Sequence, residues 1–181
     1  QSFQYQLKNR IIPGGIAAAL IAFVGYFLFQ AGVFFIYKPS MASMLYKQGY
    51  TLLENNAYPQ SEEKFIEAVK YKPVKKWFFR YAQGYREHRQ YQRASQMYLN
   101  IWTNFRHDKQ SGLDWAEMEL CDRGNFQKAE EVTRRRVLDY HINDKDGLLM
   151  LGDIFLEWGE TDSSKYEEAR KTYADLINLY G

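Results

Sequence analysis

Histidine, cysteine and paired carboxylates are the residues of this chain that could perform chemistry, as metal ligands, nucleophiles or general acids and bases. The three histidines, His88, His107 and His141, lie far apart, and neither HExxH nor CxxC spacing occurs. The single cysteine, Cys121, has no second cysteine for an intramolecular disulfide. The sequence therefore predicts no metal site, no cofactor and no enzymatic activity.

Adjacent glutamates also have an explanation that needs no reaction. They occur three times at predicted helix starts, as Glu62/Glu63, Glu130/Glu131 and Glu167/Glu168. Negative charge near a helix N-terminus is stabilised by the helix dipole. Gly14 and Gly15 lie in an apolar stretch and Gly124 lies in a predicted turn, so the glycines do not form a phosphate-cradling loop.

The elements that position these residues are short amphipathic helices, seen best between residues 113 and 138. Apolar residues recur at helical spacing on both sides of Gly124 and Asn125, so each half presents an apolar stripe to the other. Glycine lacks a Cβ and readily adopts the left-handed conformation that ends many helices. The stretch is therefore predicted to be two helices joined by a tight turn, with Ala129 small where they approach closely.

The same unit recurs along the chain. An aromatic residue precedes a small one by three positions at Tyr58/Ser61, Tyr91/Ala94, Phe126/Ala129 and Tyr166/Ala169. The small residues are 33, 35 and 40 positions apart. This period and pattern resemble the tetratricopeptide repeat, a helix-turn-helix unit of about 34 residues. The resemblance implies an all-α fold with an α-solenoid of about four repeats over 42–181, at approximately 42–74, 75–108, 110–143 and 145–181.

The third repeat departs from the family pattern. Glu117, Thr133 and Arg136 occupy positions that the family usually keeps small or apolar. Its second helix is therefore the element that the resemblance predicts least firmly.

The N-terminal part of the chain is of a different kind. No charged residue lies between Arg10 and Lys38, and an uncharged helix over 11–37 would be about 40 Å long, which exceeds the ~30 Å hydrocarbon core of a bilayer. Buried helices rarely stay uncharged on every face, and signal peptides have shorter apolar regions. The sequence predicts a polar segment at 1–10, a transmembrane helix at 11–37 surrounded by lipid, and a short joint at 38–41, where Pro39 should break the helix.

Small residues along the span permit close packing of another helix. Gly15/Ala19 and Ala18/Ala22 have small-xxx-small spacing, which would also allow self-association. Orientation is not decided by charge, because two basic residues lie close to the span on each side. We favour repeats in a periplasm-like compartment at a bacterial inner membrane, and the cytoplasmic orientation remains the alternative. The initial glutamine and the apolar residues near the C-terminus suggest that the chain continues beyond both ends.

Net charge argues against nucleic acid as a partner. The chain has 24 basic and 22 acidic residues, and residues 1–39 contain three basic residues and no acidic ones. The remainder therefore has 21 basic and 22 acidic residues, whereas nucleic-acid-binding domains normally show a basic excess. Basic clusters such as Lys72/Lys75/Lys76/Arg80 are interpreted as solvated helix faces, with anionic lipid as an alternative contact.

The resemblance also implies where a partner protein would bind. In the family, a groove is lined by the first helix of each pair. The equivalent positions here are Tyr46, Tyr50, Leu53, Lys76, Phe79, Gln83, Arg86, Asp114, Met118, Cys121, Leu149, Asp153 and Leu156. The set is mainly aromatic and aliphatic, which predicts an apolar groove for an extended segment or helix of another protein. The Lys/Asn/Arg arrangement that clamps a C-terminal carboxylate in chaperone-binding members is not evident.

Two functional hypotheses follow from an anchor joined to such repeats. The first is a membrane-tethered scaffold in a multi-protein cell-envelope assembly, an architecture that resembles bacterial periplasmic flagellar collar proteins. The alternative is a targeting receptor or chaperone-like module that binds client peptides in the groove. Fixed stoichiometry with partners would favour the scaffold, and exchangeable binding of many peptides would favour the receptor.

Overall fold

Helices form all the regular structure in the part of the chain that the computed structural model describes, residues 12–181, which confirms the all-α prediction. The predicted polar segment at 1–10 and the first residue of the predicted span lie outside the described residues. The helices are α1 (Ile12–Gly32), α2 (Lys38–Glu54), α3 (Tyr58–Tyr71), α4 (Lys75–Glu87), α5 (Tyr91–Asn104), α6 (Lys109–Glu117), α7 (Phe126–Val132), α8 (Lys145–Gly159) and α9 (Lys165–Tyr180).

The joint predicted at 38–41 does not form, and that prediction is wrong. A π-helical turn, Val33–Tyr37, connects α1 directly to α2, so that one helix runs over Gly14–Glu54. Within this turn the Lys38 N–H donates to the Val33 carbonyl, five residues back. Because a π-helical turn is wider than an α-helical one and Pro39 has no N–H to satisfy, the ring fits without breaking the helix.

The N-terminal half of this helix is long and apolar enough to cross a membrane. Its side chains are exposed from residue 14 to residue 31. Apolar side chains on every face of an exposed helix would be costly in water and favourable in lipid.

Tight turns join the helices within three of the four pairs. Asn56, Arg89 and Gly124 each follow a first helix and have left-handed φ angles of 61°, 57° and 59°. Left-handed residues are common where helices end, and glycine adopts this conformation at no steric cost. The turn predicted at Gly124 therefore has equivalents in the first two pairs.

The chain divides into two compact units, of which the first contains α1, α2 as far as Leu52, and α3. Its core includes Tyr46 of α2 and Phe65 of α3, whose rings have centroids 5.6 Å apart. The Tyr46 hydroxyl donates to the Lys72 carbonyl at 2.9 Å. This hydrogen bond satisfies a carbonyl just beyond the C-terminus of α3 and fixes α3 against α2.

The second unit contains α4 to α9 as three helix pairs. The small residues of the repeat pattern, Ala94, Ala129 and Ala169, are all buried. Adjacent pairs share cores, as where Ala129 packs with Leu120 and Ile154. Close packing at an alanine lets a large side chain of the neighbouring helix fill the space between them.

The irregular third repeat accommodates its unusual residues through π-helical turns. The first, Met118–Asp122, extends α6, and the second, Thr133–Leu138, extends α7. The buried Thr133 hydroxyl donates to the Ala129 carbonyl at 2.9 Å. The Arg136 guanidinium lies 4.5 Å from the Trp102 ring centroid. The backbone carbonyl of Arg136 accepts a hydrogen bond from Trp102 Nε1 at 2.9 Å. These polar residues therefore have partners within the array.

Candidate protein-binding groove

Two neighbouring depressions run along the first helices of the second unit. The larger, between α4 and α6, has a volume of about 580 Å³. It is lined by Phe79, Gln83, Arg86, Glu87, Arg89, Tyr91, Tyr98, Asp114, Glu117 and Asp122. The smaller, between α6 and α8, has a volume of about 320 Å³. It is lined by Gln110, Leu113, Asp114, Glu117, Asp146, Leu149, Met150 and Asp153. Because Asp114 and Glu117 line both, we treat them as one surface, the inner groove.

Arg86 connects the two helices that form the larger depression. Its Nε donates to the Asp122 carboxylate, and its Nη1 donates to Glu117 at 3.1 Å. Burial lowers the pKa of Arg86, but the hydrogen bonds that it donates to Asp122 and Glu117, together with their negative charges, outweigh burial and raise the pKa above its ordinary value. The paired guanidinium thus holds α4 and α6 at a fixed separation.

Acidic side chains dominate the inner groove. Six carboxylates line it, from Glu87, Asp114, Glu117, Asp122, Asp146 and Asp153, against two guanidiniums, from Arg86 and Arg89. Asp146 is also paired with Lys109 at 2.9 Å. The groove therefore has an excess of negative charge that the balanced charge of the whole chain conceals.

Two of these carboxylates receive hydrogen bonds from neutral groups. Asp114 accepts from Gln110 Nε2, and Asp153 accepts from the Tyr173 hydroxyl, both at 2.6 Å. Burial raises the pKa of Asp114 above its usual range. Burial, followed by the charge of Asp114, raises the pKa of Tyr98 to about 12. A cation entering the groove would gain the attraction of both aspartates.

Nearby carboxylates also affect the pKa of the Cys121 thiol. Burial raises the pKa of this exposed thiol first, and the carboxylates of Glu157 and Glu117 raise it further. A raised pKa lowers the fraction of thiolate, which is the nucleophilic form. This microenvironment disfavours reactivity at Cys121.

Solved structures of two proteins share this arrangement of helices. MamA from AMB-1 aligns with 76% of this chain and 72% of its own length, at 13% sequence identity and a TM-score of 0.50. PilF from Pseudomonas aeruginosa aligns with 79% of this chain and 63% of its own length, at 16% identity and a TM-score of 0.50. Both are tetratricopeptide-repeat proteins. This chain has the tetratricopeptide-repeat fold. No protein-family model matches the sequence, and a comparison with characterised proteins likewise gives no match.

Six of the residues predicted for a tetratricopeptide-repeat groove line the inner groove. They are Phe79, Gln83, Arg86, Asp114, Leu149 and Asp153. Lys76, Cys121 and Leu156 are exposed but do not line the two depressions, and Tyr50 is half-buried in the first unit. Whether any of these residues contacts a partner stays a prediction.

Three other predicted groove residues lie in the core, which corrects their assignment. Tyr46, Leu53 and Met118 have no exposed surface. Tyr46 is held between α2 and α3 by Phe65 and the Lys72 carbonyl. Met118 lies three residues after the buried Trp115, on the face of the helix that packs into the core, and Met118, Glu119 and Leu120 are all buried. These side chains are not available to a partner.

The sequence-based prediction omits most of the carboxylates that line the inner groove. In the sequence, Glu117 stands out only as a departure from the family pattern, and Asp122 and Asp146 are not among the predicted groove residues. The signal was nevertheless present, because Asp114 and Glu117 are three residues apart and therefore share a helix face. The predicted apolar groove is corrected to an acidic one.

The histidines take part in loop structure. His88 Nδ1 lies 3.0 Å from Asn56 Oδ1, and His141 Nε2 lies 3.1 Å from the His107 carbonyl. No group of three or more potential metal ligands occurs within residues 12–181. The described histidines thus have structural roles, and the absence of enzymatic activity stays a prediction.

Proposed function

We propose that this protein is a non-enzymatic, membrane-anchored scaffold whose inner groove holds a basic segment of a partner protein. The observation that carries the proposal is the acidic lining of the groove on a tetratricopeptide-repeat fold. Repeats of this kind bury their apolar faces against one another and leave an extended surface for binding. Protein–protein interaction is therefore the function that this architecture supports best.

The shape and chemistry of the groove define the partner segment. Lysine and arginine side chains would place their charged ends near Asp114 and Asp153, while their alkyl stems pack against Phe79 and Leu149. Leu149 is 43% exposed, so it offers apolar surface without a change in the fold. A basic helix or extended segment fits this combination, because its charges complement the carboxylates.

Membrane anchoring is supported by the exposed apolar helix. From residue 14 to residue 37 it would be about 36 Å long, enough to cross the hydrocarbon core. Its one strongly polar side chain, Gln30, donates to the Tyr26 hydroxyl at 2.8 Å, which reduces the cost of placing the amide in lipid. The small residues Gly15, Ala18, Ala19 and Ala22 are exposed on the helix and would let another helix pack closely.

A fixed groove favours the scaffold over a receptor for many clients. Arg86 links α4 to α6 through two carboxylates, so the larger depression keeps its width before a partner arrives. Preorganisation lowers the entropic cost of binding one well-matched segment. The receptor hypothesis, the periplasmic location of the repeats and the flagellar collar role stay predictions.

Purification of the full-length protein from membranes in a gentle detergent tests this proposal. A scaffold is expected to retain a small, constant set of proteins at fixed ratios, with one partner contributing a lysine- and arginine-rich segment. The measurement is the identity and molar ratio of the co-purifying chains. A variable set of peptides bound below equimolar amounts would contradict the scaffold and favour the receptor.

A further inference from the structure

Aromatic and basic side chains lie together in the first unit, where the C-terminal end of α3 is beside the end of the apolar span. Tyr37, the last residue of the predicted span, contacts Tyr71, with ring centroids 6.2 Å apart and an interplanar angle of 75°. Tyr71 is the last residue of α3, so this helix end lies beside the end of the span. The Tyr46 hydrogen bond to the Lys72 carbonyl holds it there.

Three lysines are adjacent in sequence to these two tyrosines. Lys38 follows Tyr37 directly, and its ammonium lies 6.0 Å from the Phe34 ring centroid. Lys70 and Lys72 flank Tyr71 at the end of α3 and are exposed. We call Tyr37, Lys38, Lys70, Tyr71 and Lys72 the interfacial cluster.

Charge is polarised along this unit. Residues 38–53 contain no acidic residue, and none occurs in 68–73. Glu62 and Glu63 lie at the opposite end of α3, about 11 Å from Lys70 along the helix axis. The nearest acidic residue of α3, Glu67, is paired with Lys64 at 2.9 Å. Positive charge therefore remains largely uncompensated at the end that adjoins the span.

Tyrosine and lysine at the end of a membrane span match the chemistry of the lipid headgroup layer. Tyrosine is enriched at the membrane interface, where its ring is in apolar surroundings and its hydroxyl meets water. Lysines close to an anionic leaflet are attracted by about 1 kcal/mol each. The helix dipole of α3 also favours a lysine near its C-terminus, but it does not account for Lys38 or for the paired tyrosines.

We infer that the interfacial cluster binds anionic phospholipid headgroups and so holds the first helix pair against the membrane surface. This inference rests on the proposed membrane anchor. Lipid contact at Lys70 and Lys72, which follow the anchor by more than 30 residues, would limit tilting of α3 relative to the bilayer.

Spin-labelled lipids in reconstituted vesicles test the inference. The full-length chain is placed in phosphatidylcholine vesicles with trace spin-labelled phosphatidylglycerol or spin-labelled phosphatidylcholine, and the motionally restricted fraction gives their relative association constants. We expect phosphatidylglycerol to be preferred by about threefold or more. In K70Q/K72Q the preference should fall at least about twofold, and high salt should reduce it in the unsubstituted chain.

A control variant with the same change in net charge separates position from charge. K47E lowers the net charge of the same unit by two, as K70Q/K72Q does, at a position further from the span and without breaking the pair between Lys64 and Glu67, and we expect it to keep the preference for phosphatidylglycerol. Equal loss in K47E and K70Q/K72Q, or no loss in K70Q/K72Q, would overturn the inference. If no restricted lipid appears with any of the three proteins, the chain does not insert, which would overturn the anchor and this inference together.

Discussion

Replacement of Glu119 with alanine is expected to lower the free energy of unfolding by about 3 kcal/mol. Glu119 is 1% exposed, and its Oε1 accepts from Trp115 Nε1 at 3.1 Å and from Ser95 Oγ at 3.3 Å. Arg123 Nη1 donates to the same carboxylate at 2.9 Å. Alanine would leave the buried indole N–H without an acceptor and create a cavity between the second and third repeats.

Urea titration of the full-length protein in mild detergent, followed by circular dichroism, measures this effect. Glu119→Gln should cost less, because its amide oxygen can still accept from Trp115. Glu131→Ala is the matched control, since Glu131 is 47% exposed in its pair with Lys128 and should contribute less than about 0.5 kcal/mol. An unfolding free energy of Glu119→Ala equal to that of the control would contradict a structural role for the buried carboxylate.

Neutralisation of Asp114 and Asp153 together is expected to weaken partner binding about fivefold at moderate salt. The double variant D114N/D153N keeps the side-chain volumes, and asparagine can still accept from Gln110 and Tyr173. The change therefore removes charge while preserving the groove. Retention of the co-purifying partner during washes of increasing NaCl concentration measures the loss.

The control for this experiment removes the same charge elsewhere. D139N/D175N alters two exposed aspartates outside the inner groove and should bind the partner like the unsubstituted chain. Binding should also weaken as the pH falls through the raised pKa of Asp114, because protonation removes its charge. Equal retention by both double variants would exclude the inner groove as the site of charge recognition.

Local spacing made the repeat fold predictable from the sequence. A small residue at 61, 94, 129 and 169 is required wherever two helices cross closely, and all four are buried. Gly124 has the left-handed conformation that its type suggests, although Asn56 and Arg89 adopt similar angles without being glycine. Steric requirements of this kind act within a few residues, so a single sequence reveals them.

The face of a helix on which a side chain lies, and the total charge of a surface built from several helices, were harder to predict from the sequence. A proline at position 39 predicts a break in the helix, because its ring obstructs the preceding helical turn and it has no N–H to donate. The wider π-helical turn before Pro39 makes room for the ring, so the helix continues. Met118 was placed in the groove by its repeat position, but it lies three residues after the buried Trp115 and so on the same, buried face of the helix. The acidic groove combines carboxylates from α4, α6 and α8, and their sum is evident only when the helices are placed side by side.

Site-specific photo-cross-linking in intact membranes is the most direct test of the inner groove as the partner site. The photoreactive residue p-benzoylphenylalanine is placed at Gln83 of the inner groove or at Gln96 of α5. Both glutamines are exposed and hydrogen-bonded to a side chain four residues later, so the two positions are matched. We expect cross-links from position 83 to a basic segment of one partner protein, and few from position 96. Equal yields at both positions, or cross-linked segments without excess positive charge, would contradict an acidic groove that holds a scaffold partner.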